Sequence, residues 1–280
     1  MPSCREDRWS AFRLPLGRGA QARPAGSGDR GMKVQSSAGA ALQGAGSPAD
    51  RANAFDWNRI TDDLASQGSA VLEKLLTPDE CRGIAAFYPE DDRFRSKVVM
   101  ARHGFGRGEY KYFAYPLPGL IEALRTALYP RLAPIANRWN ELMKIETRYP
   151  DTHAEFVDLC HQAGQTRPTP LLLQYESGDY NCLHQDLYGD LAFPLQVAAL
   201  LTEPGRDHAG GEFVLTEQRP RMQSRPEVVP LRQGDAVAFA VHHRPVQGAK
   251  GIYRVNLRHG VSRVRSGRRH TLGIIFHDAK

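Results

Sequence analysis

His184 and Asp186 stand two residues apart within QYESGDYNCLHQDLYGD, residues 174–190. In an extended segment, residues i and i+2 point to the same side. One imidazole and one carboxylate therefore face a common point from a single strand end. That is two-thirds of the 2-His-1-carboxylate arrangement, which holds non-haem Fe(II) and leaves coordination positions open. Alone, a His-x-Asp pair is a weak signal, and the residues downstream decide its weight.

A second imidazole is available at His259, and Arg269 follows ten positions later. Arginine offers two parallel N–H donors to a carboxylate, a geometry lysine cannot match. A turn at Ser266-Gly267 is expected to put Arg269 on the strand beside that of His259, reaching back towards the same point. His243 with Arg254, eleven residues apart, is a rival distal pair. His208, His270 and His277 read as surface or supporting residues.

The elements that must position these groups change character along the chain. Residues 1–55 are rich in Gly, Ala, Ser, Pro and Arg without sustained periodicity, and read as a disordered tail. A cationic targeting segment and a start at Met32 are further readings of it. Residues 56–169 read as mainly helical. Asp56–Leu64 forms a first helix and residues 68–72 a short strand. Thr77, Pro78 and Glu80 make a capping box with proline at the first helical position. Ser96–Tyr115 reads as two strands around Gly104-Phe-Gly-Arg-Gly108, a hairpin turn or a mobile lid. The aromatics Tyr110, Tyr112, Phe113 and Tyr115 read as packing residues. Pro130 and Pro134 are expected to split Leu117–Ile145 into two helices. Residues 151–163 form a further helix, with His153 and His161 on its surface. From Pro170 onward, short strands alternate with Gly-rich turns, the mark of an antiparallel sandwich or barrel. The expected class is α+β, helices first and then a β-sandwich core over 170–280.

Composition narrows the class further. The 280 residues are 41% hydrophobic and 24% charged, ordinary for a globular chain. No apolar run is long enough to span a membrane, and no apolar signal core opens the chain, so a cytoplasmic location is expected. Cys4, Cys81, Cys160 and Cys182 are widely spaced, without a disulfide or zinc signature. Of the formal net charge of +6, residues 1–55 hold eight Lys/Arg against four Asp/Glu. Global basicity is thus mostly a property of the tail, and is poor evidence that the folded part binds nucleic acid.

HQD at 184–186, HGVSRV at 259–264 and GRRHTL at 267–272 together resemble the Fe(II)/2-oxoglutarate dioxygenases. The pattern is similar to the prolyl-hydroxylase-like branch, where a tyrosine nine positions before the first histidine is common; Tyr175 matches it. More narrowly, residues 56–280 resemble a bacterial oxygenase family acting on nucleic acid. The resemblance implies a double-stranded β-helix (jelly-roll, cupin-like) core holding Fe(II) through His184, Asp186 and His259. It implies 2-oxoglutarate as co-substrate, its C5 carboxylate on Arg269 with Tyr175 as partner, together with dioxygen; ascorbate is a further candidate. Two substrate classes follow. One is a nucleic acid with N-alkyl damage, its methyl group hydroxylated and released as formaldehyde. Arg254, Arg258, Arg263, Arg265, Arg268 and Arg269, with Arg219, Arg221 and Arg225, suit phosphates or form a solvated surface. The other is a protein side chain such as proline. A non-catalytic β-sandwich binding module is the third reading. Oligomeric state is not signalled.

Overall fold

The computed structural model describes residues 46–186 and 189–280. Five α-helices occur among them: α1 Pro48–Ala54, α2 Trp57–Gln67, α3 Pro78–Ala86, α4 Gly119–Leu142 and α5 His153–Gln162. The strands are β1 Ser69–Leu72, β2 Phe94–Val99, β3 Gly106–Arg107, β4 Glu109–Phe113, β5 Leu171–Glu176, β6 Tyr180–His184 and β7 Leu195–Leu200. Then follow β8 His208–Gly210, β9 Phe213–Gln218, β10 Arg225–Val229, β11 Ala236–Ala240, β12 His243–Gly248, β13 Gly251–Val261 and β14 Val264–Ile274.

The strands form two antiparallel sheets. The larger runs β1-β11-β7-β14-β5-β4-β2, with β8 on β14; the smaller runs β10-β9-β13-β6-β3, with β12 on β13. This is the double-stranded β-helix architecture. Alternation sorts its side chains. In β11, Ala236, Ala238 and Ala240 join the core shared with the helices, while Val237 and Phe239 pack on Phe213, Leu215 and Val229 between the sheets. In β14, Leu272 and Ile274 join the helix-side core, and Arg269 and Thr271 line the inter-sheet cavity.

Four expectations are corrected. Residues 46–55 are not wholly tail, because Ser47 caps α1 with Asp50 in a capping box and Arg51 pairs with Glu80 at 2.8 Å. Residues 1–45 lie outside the described residues. The strands expected within 56–169 are present, but β1, β2 and β4 join the larger sheet and β3 the smaller, so the β core is not confined to 170–280. Residues 119–142 form one helix with Pro130 and Pro134 inside it. Each interior proline costs roughly 3 kcal/mol. The helix also buries Ile121, Leu124, Leu128, Leu132, Ile135 and Trp139 in the core. At roughly 1.5–3 kcal/mol per side chain, that burial outweighs the prolines. Finally, His153 is buried against the Phe276 carbonyl rather than on the surface.

The helix that the capping box announces is present: Thr77 accepts from the Glu80 amide, and Pro78 opens α3. Thr152 likewise caps α5. No helix among the described residues is long and apolar enough to cross a membrane.

Candidate metal and co-substrate site

Strands β6 and β13 pair so that His259 lies opposite His184. Asp186 follows two residues after His184. The ligand-type atoms of His184, Asp186 and His259 all lie within 4.8 Å of one another. His184 Nε2 is 3.4 Å from one Asp186 oxygen, and His259 Nε2 is 3.4 Å from the other. Asp186 and His259 are buried, and His184 is half-buried. Gln185 fixes the strand end, its amide donating to Asn256 Oδ1 and the Leu257 carbonyl at 2.6 Å each.

The electrostatics fit a cation here. Burial works to raise the Asp186 carboxyl, but hydrogen bonds and charge from His184 and His259 outweigh it and hold the group well below its ordinary value. Burial pushes the His259 imidazole down, while the Asp186 contact outweighs burial at His184 and raises it. His184 Nδ1 lies 2.7 Å from the Cys182 carbonyl and donates to it, so the neutral ring turns a bare Nε2 towards the carboxylate. Lone pairs facing one another repel. A proton or a metal cation between them removes that conflict, and the donor set suits non-haem Fe(II). His259 Nδ1 is buried without a hydrogen-bond partner among the described residues.

The same cavity, of about 230 Å³, is lined by Tyr175, Asn181, Gln196, Arg269 and Thr271 as well as the three ligand-type residues. Arg269 is 1% exposed. It donates to Thr271 Oγ1 at 2.5 Å, and its guanidinium carbon lies 5.5 Å from the Tyr175 ring centre. Its Nε is buried without a hydrogen-bond partner, and among the described residues the Glu212 carboxylate acts on it by charge without a salt-bridge contact. Burial pulls its pKa down to about 10. A buried guanidinium lacking a paired counter-charge is costly, so the site is complementary to an anion. Tyr175 sits directly across from Arg269 in the β5–β14 pair. Burial pushes its phenol up to about 12. Gly211 makes room for the arginine: its φ is +73°, and a Cβ there would lie 2.7 Å from Arg269 Cδ.

Five sequence-predicted residues, His184, Asp186, His259, Arg269 and Tyr175, therefore line one cavity. The turn between His259 and Arg269 is not at Ser266-Gly267. Residues 262–263 carry the chain from the smaller sheet to the larger, so Arg269 faces His259 across the cavity. Two sheets meeting at the site give the side chains a shared space that one flat hairpin could not. The rival pair does not line it. His243 stacks on His242 at 3.5 Å, and burial beside His242 and Arg254 pushes it down to about 4. Arg254 donates to the Met143 carbonyl. His208 and His277 are buried, and His270 bonds Gln174.

Sequence reasoning missed Gln196 and Thr271, and took Tyr110 and Tyr112 for packing residues although they line the cavity. One signal was legible: Gln196 is the lone polar residue in the run LQVAAL. The arginine-rich surface is thinner than its sequence. Arg268 pairs with Glu176, and Arg219 and Arg225 with Glu217.

Residues 108–279 match a family described as an oxygenase catalysing oxidative methylation of damaged DNA. An uncharacterized protein of Mycobacterium tuberculosis is 49% identical over 167 residues, which cover 60% of this chain and 72% of that one. Among solved structures, a Trichoplax adhaerens prolyl hydroxylase, crystallised with a hypoxia inducible factor peptide, aligns with TM-score 0.50 and 13% identity. It covers 81% of this chain and 90% of its own. A Pseudomonas putida prolyl-4-hydroxylase aligns with TM-score 0.48 and 16% identity, covering 80% and 99%.

Proposed function

The chain belongs to this oxygenase family, an Fe(II)- and 2-oxoglutarate-dependent enzyme class that also uses dioxygen, and we propose that it oxidises N-alkylated bases of a nucleic acid. His184, Asp186 and His259 would hold the iron. Arg269 would bind the C5 carboxylate of 2-oxoglutarate, with Tyr175 beside it. When bound, iron, 2-oxoglutarate and dioxygen supply the oxidation: one oxygen atom goes into a substrate C–H bond and the other into succinate, with carbon dioxide released. Hydroxylation of an N-methyl group leaves a carbinol that breaks down to the bare nitrogen and formaldehyde.

The chain's own contribution is position and charge. His184 and Asp186 come from one strand end and His259 from its partner, so the pairing register sets their spacing. The buried arginine compensates one carboxylate of a dicarboxylate on leaving water, and that carboxylate in turn compensates the arginine. The apolar walls, Leu171, Leu173, Val261 and Ile275 among them, keep bulk water from the reacting groups.

The observation that supports the cofactor reading most strongly is the buried Arg269, without a salt-bridge partner, in the same cavity as the His-Asp-His cluster. The nucleic-acid reading is supported by the family's description, which names damaged DNA, and by the exposed arginines Arg258, Arg263 and Arg265. Succinate and formaldehyde are measured with a methylated single strand and, separately, with a proline-containing peptide. The expected result is stimulation by the strand. Stimulation by the peptide alone gives the enzyme to protein substrates instead.

A further inference from the structure

The turn Gly104-Phe-Gly-Arg-Gly108 has no part in the metal or co-substrate chemistry, yet Phe105 lines the same cavity as His184 and His259. Phe105 belongs to none of the buried apolar clusters, and the residue is 47% exposed. An apolar ring kept in water at the mouth of a cavity is a contact surface in waiting. The His103 ring stacks beside it, 5.3 Å between centroids and 24° between planes. The stacked His103 ring backs one face of Phe105, and the exposed remainder of the ring is left to receive a partner. Tyr180 and Leu183, on the neighbouring β6, are also exposed.

Phe105 is held in register with the site. The Cys182 amide donates to the Phe105 carbonyl at 2.9 Å, and Cys182 is two residues from His184. The Phe105 amide donates to the Met100 carbonyl at 3.2 Å. Gly106 pairs with Asn181 at φ +125°, and a Cβ there would lie 2.4 Å from the Tyr180 carbonyl oxygen. Only glycine admits so close an approach of the two strands. The turn is a docked strand rather than a loose lid. The flanking charge is positive: Arg102 and Arg107 are exposed, and Arg107 is only loosely engaged, 3.7 Å from Asp179.

We propose that Phe105 is the stacking platform that receives an unpaired, N-alkylated nucleobase at the cavity mouth, with Arg102 and Arg107 set to meet the adjoining phosphates. The inference rests on the nucleic-acid reading above and narrows it to a single strand or an extruded base. A base within a duplex has both faces covered by its neighbours, so it must leave the stack to meet a ring at the mouth of a cavity. Aromatic rings accept any base by stacking, and cations follow the backbone.

The test uses the full chain, loaded anaerobically with Fe(II) and 2-oxoglutarate so that no turnover occurs. The probe is a short, fluorescein-labelled single strand bearing one N-methylated base, followed by anisotropy. Phe105→Ala is expected to weaken binding on the order of tenfold, with an unchanged thermal midpoint. Phe105→Trp is expected to retain affinity, and its tryptophan emission to be quenched by the methylated strand more than by the same strand with an abasic site. Wild-type affinity in Phe105→Ala, or emission unmoved by a strand that binds, overturns the platform while leaving the nucleic-acid reading intact. A wild-type chain that binds no strand and oxidises a proline peptide overturns both.

Discussion

His184 and His259 are direct cross-strand partners, their ring centroids 4.2 Å apart, with the Asp186 carboxylate reaching the Nε2 of each. The register of one strand pair therefore sets the geometry of the cluster. A slip of one residue would turn His259 to the outer face and bring Arg258 in. Phe239 packs on the His259 ring at 4.6 Å between centroids and Phe213 stacks at 6.0 Å, so the imidazole is held from the core side too.

From this follows the first prediction. His259→Ala and Asp186→Asn each abolish Fe(II)-dependent succinate formation, by more than the roughly 10–100-fold that loss of an outer partner costs. His243→Ala leaves it near the wild-type level, because His243 faces His242 and not the cavity. Succinate release under saturating 2-oxoglutarate is the measurement. Activity retained in His259→Ala but lost in His243→Ala would reverse the assignment of the distal ligand.

Arg269 carries the second. Its replacement by Ala removes the cation facing a buried carboxylate, a loss of roughly 2–5 kcal/mol, or between one and four powers of ten in affinity. Arg269→Lys restores the charge but not the paired donors, and falls between. Gly211→Ala moves in the same direction for a different reason. Its Cβ would press on Arg269 Cδ at 2.7 Å, from a backbone at φ +73° that favours glycine. Anaerobic titration with 2-oxoglutarate reads all three. Unchanged affinity in Arg269→Ala would place the co-substrate elsewhere.

The site residues were legible in the sequence because their spacing is local. His-x-Asp is a two-residue relation, and a strand puts both on one side. The ten residues between His259 and Arg269 were also legible, but not their path. A turn signal at Ser266-Gly267 drew the eye, whereas the chain changes sheets at 262–263, and Gly267 serves a close approach to the Asp207 carbonyl. Sheet membership is decided by pairing with distant strands, here β5 and β7 for β14, and no local pattern encodes it. The unbroken α4 was hidden for a similar reason. Its prolines speak against a helix locally, and the apolar residues it buries against the sheet overrule them. Gln196 showed only as the lone polar residue of LQVAAL and Thr271 not at all, because a single polar residue in a strand has no function until the cavity it faces exists.

A third prediction concerns acid. His153 is buried with Nε2 donating to the Phe276 carbonyl at 2.9 Å, and burial, with Arg125 nearby, pushes its pKa from 6.5 to about 4. The unfolded chain therefore takes up this proton first as pH falls. The contribution to stability is fully present above about pH 6.5 and is lost progressively as pH falls towards 4, up to roughly 3 kcal/mol. Urea midpoints at neutral pH and near pH 5 should show the drop. His153→Gln should remove its share of that drop, leaving the part that comes from His243, His270 and His277, which burial also lowers to about 4. A His153→Gln chain with the same pH dependence as the wild type would assign the acid loss to other groups.

The last prediction separates a second acid-sensitive contact from that one. Arg125 and Asp278 are both fully buried and pair at 2.7 Å. Arg125 also donates to the Ile275 and Phe276 carbonyls, fastening the end of β14 and the segment after it onto α4. Burial works to raise the Asp278 carboxyl, but Arg125, His161 and Tyr115 outweigh it and lower it below 3.8. A carboxyl lowered in the fold stabilises above its unfolded value, and that stability disappears only as pH falls through the lowered one. Its window lies below that of His153. Asp278→Asn keeps the shape but leaves Arg125 uncompensated, and should cost roughly 3–5 kcal/mol at neutral pH, where the His153 contribution is unchanged. Because Arg125 and Asp278 lie on the helix side of β14 and the cavity on its other face, the loss should appear in the unfolding midpoint, with 2-oxoglutarate affinity moving little while the chain stays folded. A large affinity loss in folded Asp278→Asn would show instead that this buried pair sets the position of Arg269 through the strand.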